Sequence, residues 1–232
     1  MALNVETLKT RSLTAAIFVV VMLTGLFWNF WSFLILFSII HIGCWIEFVN
    51  LLKKIYGDQY KKYILSGVLY ISLPIVLLAH LSTKWELNAS IDISNGTYSY
   101  LLPCAIIFSI WINDTMAYIV GSLIGKTPFS KISPKKTWEG TIGGAILCIA
   151  VIGLLGYYVP MAKEITVKHW LAIAAICAVF GTAGDLLESK IKRMANVKDS
   201  GTIMPGHGGF LDRFDSLLIA TPFVWVYIQL FI

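Results

Sequence analysis

Long apolar runs alternate with short polar segments along the whole chain. The runs fall at roughly residues 12–28, 30–52, 63–82, 98–121, 141–160, 168–187 and 214–232. Each run is close to the roughly 20 residues that an α-helix needs to span the hydrocarbon core of a bilayer. Because unpaired backbone groups cannot face lipid, runs of this length predict helices. The pattern therefore predicts an all-α transmembrane bundle of about seven spans.

The composition agrees with this pattern. Of the 232 residues, 57% are hydrophobic and 13% are charged, and the mean hydropathy is +0.77. A water-soluble domain does not carry so many apolar residues, and no nucleic-acid partner is expected from a formal net charge of +5. Each of the four cysteines lies inside an apolar run without metal-site spacing, so all are predicted to be small buried hydrophobes.

Lysine and arginine residues are distributed unevenly among the segments between the runs. With the N-terminus on the cytoplasmic side, 15 of the 18 fall in cytoplasmic segments, and only Lys84, Lys163 and Lys168 fall on the other side. Cytoplasmic loops of membrane proteins carry this excess of positive charge. The sequence therefore predicts a cytoplasmic N-terminus and, for an odd number of spans, a C-terminus on the opposite face.

Two polar segments with candidate chemistry then lie on the same side of the membrane. The first runs from Asn113 to Gly140 and the second from Asp185 to Asp215. Both belong to residues 98–232, whereas residues 1–97 are predicted to be N-terminal transmembrane helices of the same continuous membrane domain. Ionisable groups at membrane depth are costly, so this concentration of them indicates a functional site.

The first polar segment has a helical face of small and polar residues. Asp114, Ala117, Tyr118, Gly121 and Gly125 follow the spacing i, i+3, i+4, i+7 and i+11, which places them on one side of a helix. Small residues allow another helix to approach closely. The face is therefore either a packing surface with one buried aspartate or the wall of a polar cavity.

Carboxylates at two helix ends of the second polar segment suggest a cation site. Four polar residues share one face at the end of the sixth span, and two carboxylates begin the seventh. They are Asp185, Glu188, Ser189 and Lys192 in the first set, and Asp212 and Asp215 in the second. Hard divalent cations such as Mg²⁺ take oxygen ligands, often one or two carboxylates together with substrate phosphates. The alternative is a set of salt bridges with neighbouring lysines and arginines.

Basic residues near these carboxylates are candidates for phosphate binding. Lys135 and Lys136 precede the fifth span, whose N-terminal end favours anions, but ordinary positive charge on a cytoplasmic loop explains them equally well. His207 lies in the glycine-rich stretch PGHGG, where it is a general base, a phosphate donor or a hydrogen-bond partner of the loop. Glu47, inside the second span, faces the site or a neighbouring subunit, or pairs with a basic residue.

The spacing of the polar residues is specific enough to compare with known families. The relevant residues are Ser189-Lys190-Ile191-Lys192-Arg193, Lys198-Asp199, Pro205-Gly206-His207-Gly208-Gly209, Asp212-Arg213 and Asp215, which extend over about 27 positions. Their order and gaps resemble the motif of phosphatidate cytidylyltransferases, the CDP-diacylglycerol synthases. The stretch SPKKTWEG, residues 133–140, and the Asp114 face are also similar to that family.

The resemblance implies a magnesium-dependent, homodimeric membrane enzyme of phospholipid synthesis, with K⁺ accompanying Mg²⁺. Its reaction converts CTP and phosphatidate into CDP-diacylglycerol and diphosphate, at the plasma (inner) membrane if the source is bacterial. The resemblance places metal ligands at Asp185 and Asp212 and further catalytic roles at Lys198 and Asp215. The candidates for substrate-phosphate contacts are Lys135, Lys136, Ser189, Lys192, Arg193, His207 and Arg213, supported by Asp114, Glu188 and Asp199.

Three other classes of protein are compatible with parts of the pattern. Another CTP-dependent lipid enzyme, such as a polyprenol kinase or a cytidylyltransferase for a different phospholipid, would need similar groups. A CDP-alcohol phosphotransferase fits less well, because the DG…AR stretch of that family is missing. An anionic-lipid transporter or an inactive scaffold would need neither a divalent metal nor this complete set of acidic and basic residues.

Overall fold

The computed structural model describes residues 5–83, 98–204 and 208–232, with side chains described from residue 12 onward. Every regular element within these ranges is helical, and the extended pairings among the described residues are isolated bridges. The α-helices are α1 Val5–Phe27, α2 Phe30–Tyr56, α3 Ile64–Gly67, α4 Leu73–Leu81, α5 Leu101–Ile124, α6 Trp138–Tyr158, α7 Val167–Met194 and α8 Leu211–Phe231. The predicted all-α class is confirmed.

Five helical stretches in the described part of the chain are long and apolar enough to cross a membrane. They are Phe30–Leu81, Leu101–Ile124, Trp138–Tyr158, Val167–Met194 and Leu211–Phe231, and a shorter apolar helix covers Ser12–Phe27. Large apolar side chains such as Leu65, Val76 and Ile146 are more than half exposed on the outside of the bundle. A surface of this kind suits lipid rather than water.

The stretch from Phe30 to Leu81 reverses direction near its middle. A 3₁₀ turn at Gly57–Tyr63 follows α2, and Gly57 adopts a positive φ of 53° that glycine tolerates without steric cost. Beyond the turn, Ser72 Oγ lies 2.9 Å from His41 Nε2 on α2. This contact shows that the segment after the turn packs back along α2 rather than extending it.

The ends of two helices are set by local side-chain caps. Asn29 Oδ1 accepts a hydrogen bond from Ser32 N at 2.9 Å, and Asn29 N donates to Ser32 Oγ at 3.0 Å, so a capping box begins α2 directly after α1. Thr137 Oγ1 accepts a hydrogen bond from Gly140 N at 3.1 Å and begins α6. The second cap fixes the point at which the first polar segment enters the bundle.

Helices α5 to α8 form the packed centre of the fold, with α5 on α6, α6 on α7 and α7 on α8. The closest approaches occur at glycines. A Cβ on Gly144 would lie 2.6 Å from the backbone nitrogen of Ala117, and one on Gly184 would lie 3.0 Å from Cα of Ser216. These approaches bring Asp185, next to Gly184, beside the start of α8.

The four cysteines are buried free thiols, as predicted.

Candidate active site

A polar cavity of about 700 Å³ opens between α5, α6, α7 and α8. Its volume lies within the range of small-molecule sites, about 300–1,000 Å³. Charged side chains from both polar segments line it, and Phe18 of α1 and Trp111 of α5 add an apolar wall. The charged lining residues are Asp114, Lys135, Lys136, Asp185, Lys192, Asp199, Asp212, Arg213 and Asp215.

The polar face of α5 is both a packing surface for another helix and a wall of the cavity, the two alternatives that the sequence left open. Asp114, Ala117, Tyr118 and Gly121 all line the cavity. Ala117 and Gly121 also meet α6 closely, since a Cβ on Gly140 would lie 2.8 Å from the Ala117 carbonyl oxygen and 2.9 Å from Gly121 Cα. Tight packing of α5 on α6 therefore places the Asp114 carboxylate in the cavity.

The two polar segments are joined by an ion pair. Lys136, from the loop before α6, pairs with Asp185 Oδ2 on α7, and both side chains are a little over one-quarter exposed. Ser189, one turn along α7, donates its hydroxyl to Asp185 Oδ1 at 3.3 Å. A candidate phosphate-binding lysine and a candidate metal ligand therefore lie in direct contact.

A second lysine holds two carboxylates at the base of the cavity. Lys192 Nζ lies 2.5 Å from Glu188 Oε2 and 2.6 Å from Asp212 Oδ1. The Glu188 side chain is 1% exposed and the Lys192 side chain 13%. The salt-bridge alternative drawn from the sequence is thus realised here, with an ammonium group between carboxylates on α7 and α8.

Asp212 also organises the connection between α7 and α8. Its Oδ2 accepts hydrogen bonds from Ser200 N at 2.8 Å and Gly209 N at 2.7 Å, and it lies 2.9 Å from Ser200 Oγ, whose single proton it shares with a second carboxylate. With Lys192 at Oδ1, both carboxylate oxygens have partners inside the protein. Asp212 therefore fixes the backbone that precedes α8 as well as lining the cavity.

Asp215 completes an acidic wall on the other side of Asp185. It is 8% exposed, and its Oδ1 accepts a hydrogen bond from Ser216 N at 2.7 Å. Asp114, Asp185 and Asp215 all line the same cavity. A cation, whether an ammonium group or a metal ion, is what such a wall attracts.

The donor set fits an ion that takes part of its coordination from a substrate. Among the residues that the structure describes, no group of three or more His, Cys, Asp or Glu side chains is arranged to hold a metal ion by itself. Magnesium sites commonly use only one or two carboxylates together with phosphate oxygens and water. Asp185 and Asp212 both line the cavity and offer oxygen ligands of that type.

Four of the predicted site residues lie away from the centre of the cavity. Arg193 is exposed and donates a hydrogen bond to the Val197 carbonyl oxygen at 3.1 Å. Lys198 is exposed and is not among the lining residues, whereas Glu188 and Ser189 are buried behind the wall and contact Lys192 and Asp185. His207 lies outside the described residues.

Sequence reasoning missed one residue that shapes the first polar segment. Glu139, in the first turn of α6, accepts hydrogen bonds from Lys126 N at 3.2 Å, Thr127 N at 3.1 Å and Thr127 Oγ1 at 2.8 Å. These bonds close the loop that carries Lys135 and Lys136. The available signal was an acidic residue two positions after the Thr137 cap, where a carboxylate suits the helix N-terminus.

Comparison with known proteins identifies relatives over most of the chain. A model of the cytidylyltransferase family matches residues 65–231. A phosphatidate cytidylyltransferase of Rickettsia typhi is 34% identical over 227 residues, which cover 96% of this chain and 92% of that protein.

Two further relatives match mainly one half of the chain. A phosphatidate cytidylyltransferase of Bacillus subtilis is 43% identical over 123 residues, 53% of this chain and 45% of that protein. Phosphatidate cytidylyltransferase 4, chloroplastic, of Arabidopsis thaliana is 45% identical over 118 residues, 50% of this chain and 29% of that protein. The matched region thus spans less than half the length of either of these two relatives.

Proposed function

The chain belongs to the cytidylyltransferase family, and on that premise we propose that it transfers the cytidylyl group of CTP to phosphatidate. The products would be CDP-diacylglycerol and diphosphate. The observation that carries this proposal is a single cavity, lined by carboxylates and lysines from both polar segments, in a bundle of membrane-length helices. Such a cavity offers cationic groups for phosphates within reach of a lipid headgroup.

The reaction needs alignment more than it needs a strong base. A phosphate oxygen of phosphatidate attacks the α-phosphorus of CTP, and the bond from that phosphorus to the bridging oxygen of diphosphate breaks. Since the attacking oxygen is already anionic near neutral pH, the main barriers are charge repulsion and orientation. Positioned cationic groups reduce both, and Lys136 and Lys192 are the ammonium groups that line the cavity beside its carboxylates.

We propose Asp185 and Asp212 as ligands of Mg²⁺, with K⁺ as an accompanying ion. A divalent ion bound there would offset the charge of the triphosphate and of the leaving diphosphate. Lys136 and Lys192 would then release these carboxylates and turn to phosphate oxygens. Asp215 and Asp114 line the cavity together with Asp185. Asp199 and Arg213 lie at the exposed edge of the lining.

The apolar wall of the cavity suits the rest of a lipid substrate. Phe18 and Trp111 both line the cavity, and their ring centroids lie 6.0 Å apart. Acyl chains could remain in the bilayer beside α1 and α5 while the headgroup reaches the lysines.

The proposal includes seven passes, a cytoplasmic N-terminus, a homodimer and, in a bacterial cell, a location in the inner membrane.

The direct test is release of diphosphate by the purified full chain in lipid nanodiscs. We expect release only when CTP, phosphatidic acid and Mg²⁺ are all present, with none when diacylglycerol replaces phosphatidic acid. Diphosphate release that does not depend on phosphatidic acid would exclude phosphatidate as the acceptor. Lipid flux without any nucleotide turnover would instead favour a transporter.

Two lysines of the predicted set should differ in their effect on substrate binding. Lys136 contacts Asp185 and lines the cavity, whereas Lys198 is exposed outside the lining. Lys136→Ala is therefore expected to raise the KM for CTP or phosphatidate about tenfold, since a charge-assisted phosphate contact is worth about 1.5–3 kcal/mol. Steady-state kinetics on both variants provides the measurement. If Lys198→Ala raised KM as much as Lys136→Ala does, contact with the cavity would not decide which lysine binds phosphate. The assignment of the phosphate contact to Lys136 would then be wrong.

A further inference from the structure

Glu47 is a buried carboxylate on α2, in the N-terminal part of the chain. It is 7% exposed and lies in an apolar helix, between Ile46 and Phe48. A charged side chain at such a place costs free energy unless hydrogen bonds compensate for its lost hydration. Its position also lies outside residues 65–231, the range that matches the family model. The hydrogen-bond partners of Glu47 should therefore show why a carboxylate is buried here.

All the described hydrogen-bond partners of Glu47 lie on the connection between α7 and α8, residues 195–210, or at the start of α8. Ser200 Oγ donates to Glu47 Oε2 at 2.7 Å, Phe210 N donates to Oε1 at 2.9 Å, and Leu211 N donates to Oε2 at 2.9 Å. The last two donors are backbone groups at the start of α8, where a negative charge is favoured by the helix dipole. One side chain thus joins Ser200, inside the connection, to the start of α8.

Two glycines of the connection are shaped around this carboxylate. A Cβ on Gly201 would lie 2.7 Å from Glu47 Cδ, and one on Gly209 would lie 2.5 Å from the same atom. Real Cβ atoms do not approach so closely, because the atoms would overlap. The backbone at Gly201 and at Gly209 therefore packs directly against Glu47.

Asp212, which lines the cavity, binds the same parts of the connection. Asp212 Oδ2 accepts from Ser200 N and Gly209 N, and Ser200 Oγ lies within hydrogen-bond distance of both Glu47 and Asp212, which share its one proton. Glu47 and Asp212 therefore bind the same piece of backbone. Movement of the connection would consequently displace Asp212, and with it the ammonium group of Lys192 that Asp212 binds.

We propose that Glu47 is a positioning residue that orders the α7–α8 connection and so holds Asp212 and Lys192 in the cavity. Its importance for turnover rests on the proposed function, whereas its effect on the order of the connection does not. Without the carboxylate, the connection would spend only a fraction of its time in the binding-competent arrangement. Apparent affinity for a substrate falls in proportion to that fraction.

The primary test is amide hydrogen exchange in the full chain without CTP or phosphatidic acid. Glu47→Gln preserves the size of the side chain but removes its charge and one acceptor oxygen. Amides of residues 199–204 and 208–211 should then exchange about tenfold faster than in the unsubstituted protein, while those of residues 125–137 stay unchanged. Glu139→Gln is the matched control, because it loosens residues 125–137 through the bonds to Lys126 and Thr127 and should leave the α7–α8 connection unaffected.

A kinetic readout separates positioning from a general loss of folded protein. Glu47→Gln should raise the KM for CTP about tenfold and leave kcat nearly unchanged, because bound substrate restores the competent arrangement. A residue that only supports folding would lower the amount of active enzyme, and so the apparent kcat, without changing KM. A KM equal to that of the unsubstituted enzyme, with normal exchange, would overturn the proposal.

A milder variant keeps the test decisive if Glu47→Gln does not fold. Ser200→Ala removes only the hydroxyl that links Glu47 to Asp212, and it should speed exchange of the same amides without lowering the melting temperature substantially. Unchanged exchange in Ser200→Ala and in any folded Glu47 variant would refute the positioning role, whatever the enzyme turns over. If exchange changes as expected but the unsubstituted protein does not convert phosphatidate, only the proposed function is wrong.

Discussion

Asp185→Asn is expected to lower kcat about a thousandfold while the protein stays folded in the membrane. Asp185 pairs with Lys136 and lines the cavity together with Asp215. The substitution keeps the shape of the side chain but removes the charge that a divalent ion would need. Loss of one electrostatic contact to the reacting groups typically costs a factor of about 10²–10³, and loss of the proposed metal ligand would add to it.

The stability of Asp185→Asn should change little. The ion pair with Lys136 is partly exposed, and such pairs contribute about 0–1 kcal/mol. Asp58→Asn, an exposed aspartate in the turn after α2, is the matched control and should retain full activity. The measurement is diphosphate release per folded molecule, with folding checked by size-exclusion chromatography. Near-normal turnover by Asp185→Asn would remove Asp185 from the list of metal ligands.

Lys192→Met should destabilise the protein strongly, and much more than Asp185→Asn does. The ammonium group compensates Glu188 and Asp212, whose side chains are 1% and 5% exposed. Methionine fills similar space but leaves two carboxylates without their counter-charge. Removing one partner from a buried ion pair costs about 3–5 kcal/mol, and the free energy of unfolding in mixed micelles is expected to fall by that amount.

The control for Lys192→Met lies two residues earlier on the same helix. Lys190 is exposed, so Lys190→Met should change the free energy of unfolding by about 0.5 kcal/mol or less. Adding Glu188→Gln to Lys192→Met should restore about 1–3 kcal/mol, because coupled charges are non-additive. Equal losses in Lys190→Met and Lys192→Met, with no recovery in the double variant, would show that the buried charges are not coupled.

Helix positions were largely predictable from the sequence because a bilayer imposes one length on apolar runs. The predicted apolar span of α7 ended at residue 187, and helical spacing extended the helix to Lys192, close to its observed end at Met194. Hydropathy marks only the part of a helix that faces lipid, whereas backbone hydrogen bonds continue through the charged turn at Glu188–Lys192. The reversal at Gly57–Tyr63 was predicted as a break between spans, while its 3₁₀ conformation was not.

The residues around the cavity were predictable where helical spacing places them on one face. Asp114, Tyr118 and Gly121 share one face of α5 as their spacing indicated, and that face lines the cavity, which is one of the two alternatives that the spacing left open. Asp185 and Lys192 line the cavity from α7. Contacts between distant segments could not be predicted from the sequence, because no local pattern specifies which lysine pairs with which carboxylate. The bond of Glu47 to Leu211, 164 positions away, is an example.

The position of the transferred phosphorus tests the proposed reaction most directly. The purified full chain would be supplied with phosphatidic acid, Mg²⁺ and CTP labelled at either the α- or the γ-phosphorus. A cytidylyltransferase places the α label in the lipid product and releases the γ label as diphosphate, in equal molar amounts. Appearance of the γ label in the lipid would mean that the protein is a CTP-dependent kinase. If neither the α nor the γ label entered the lipid, the enzyme assignment would be contradicted altogether.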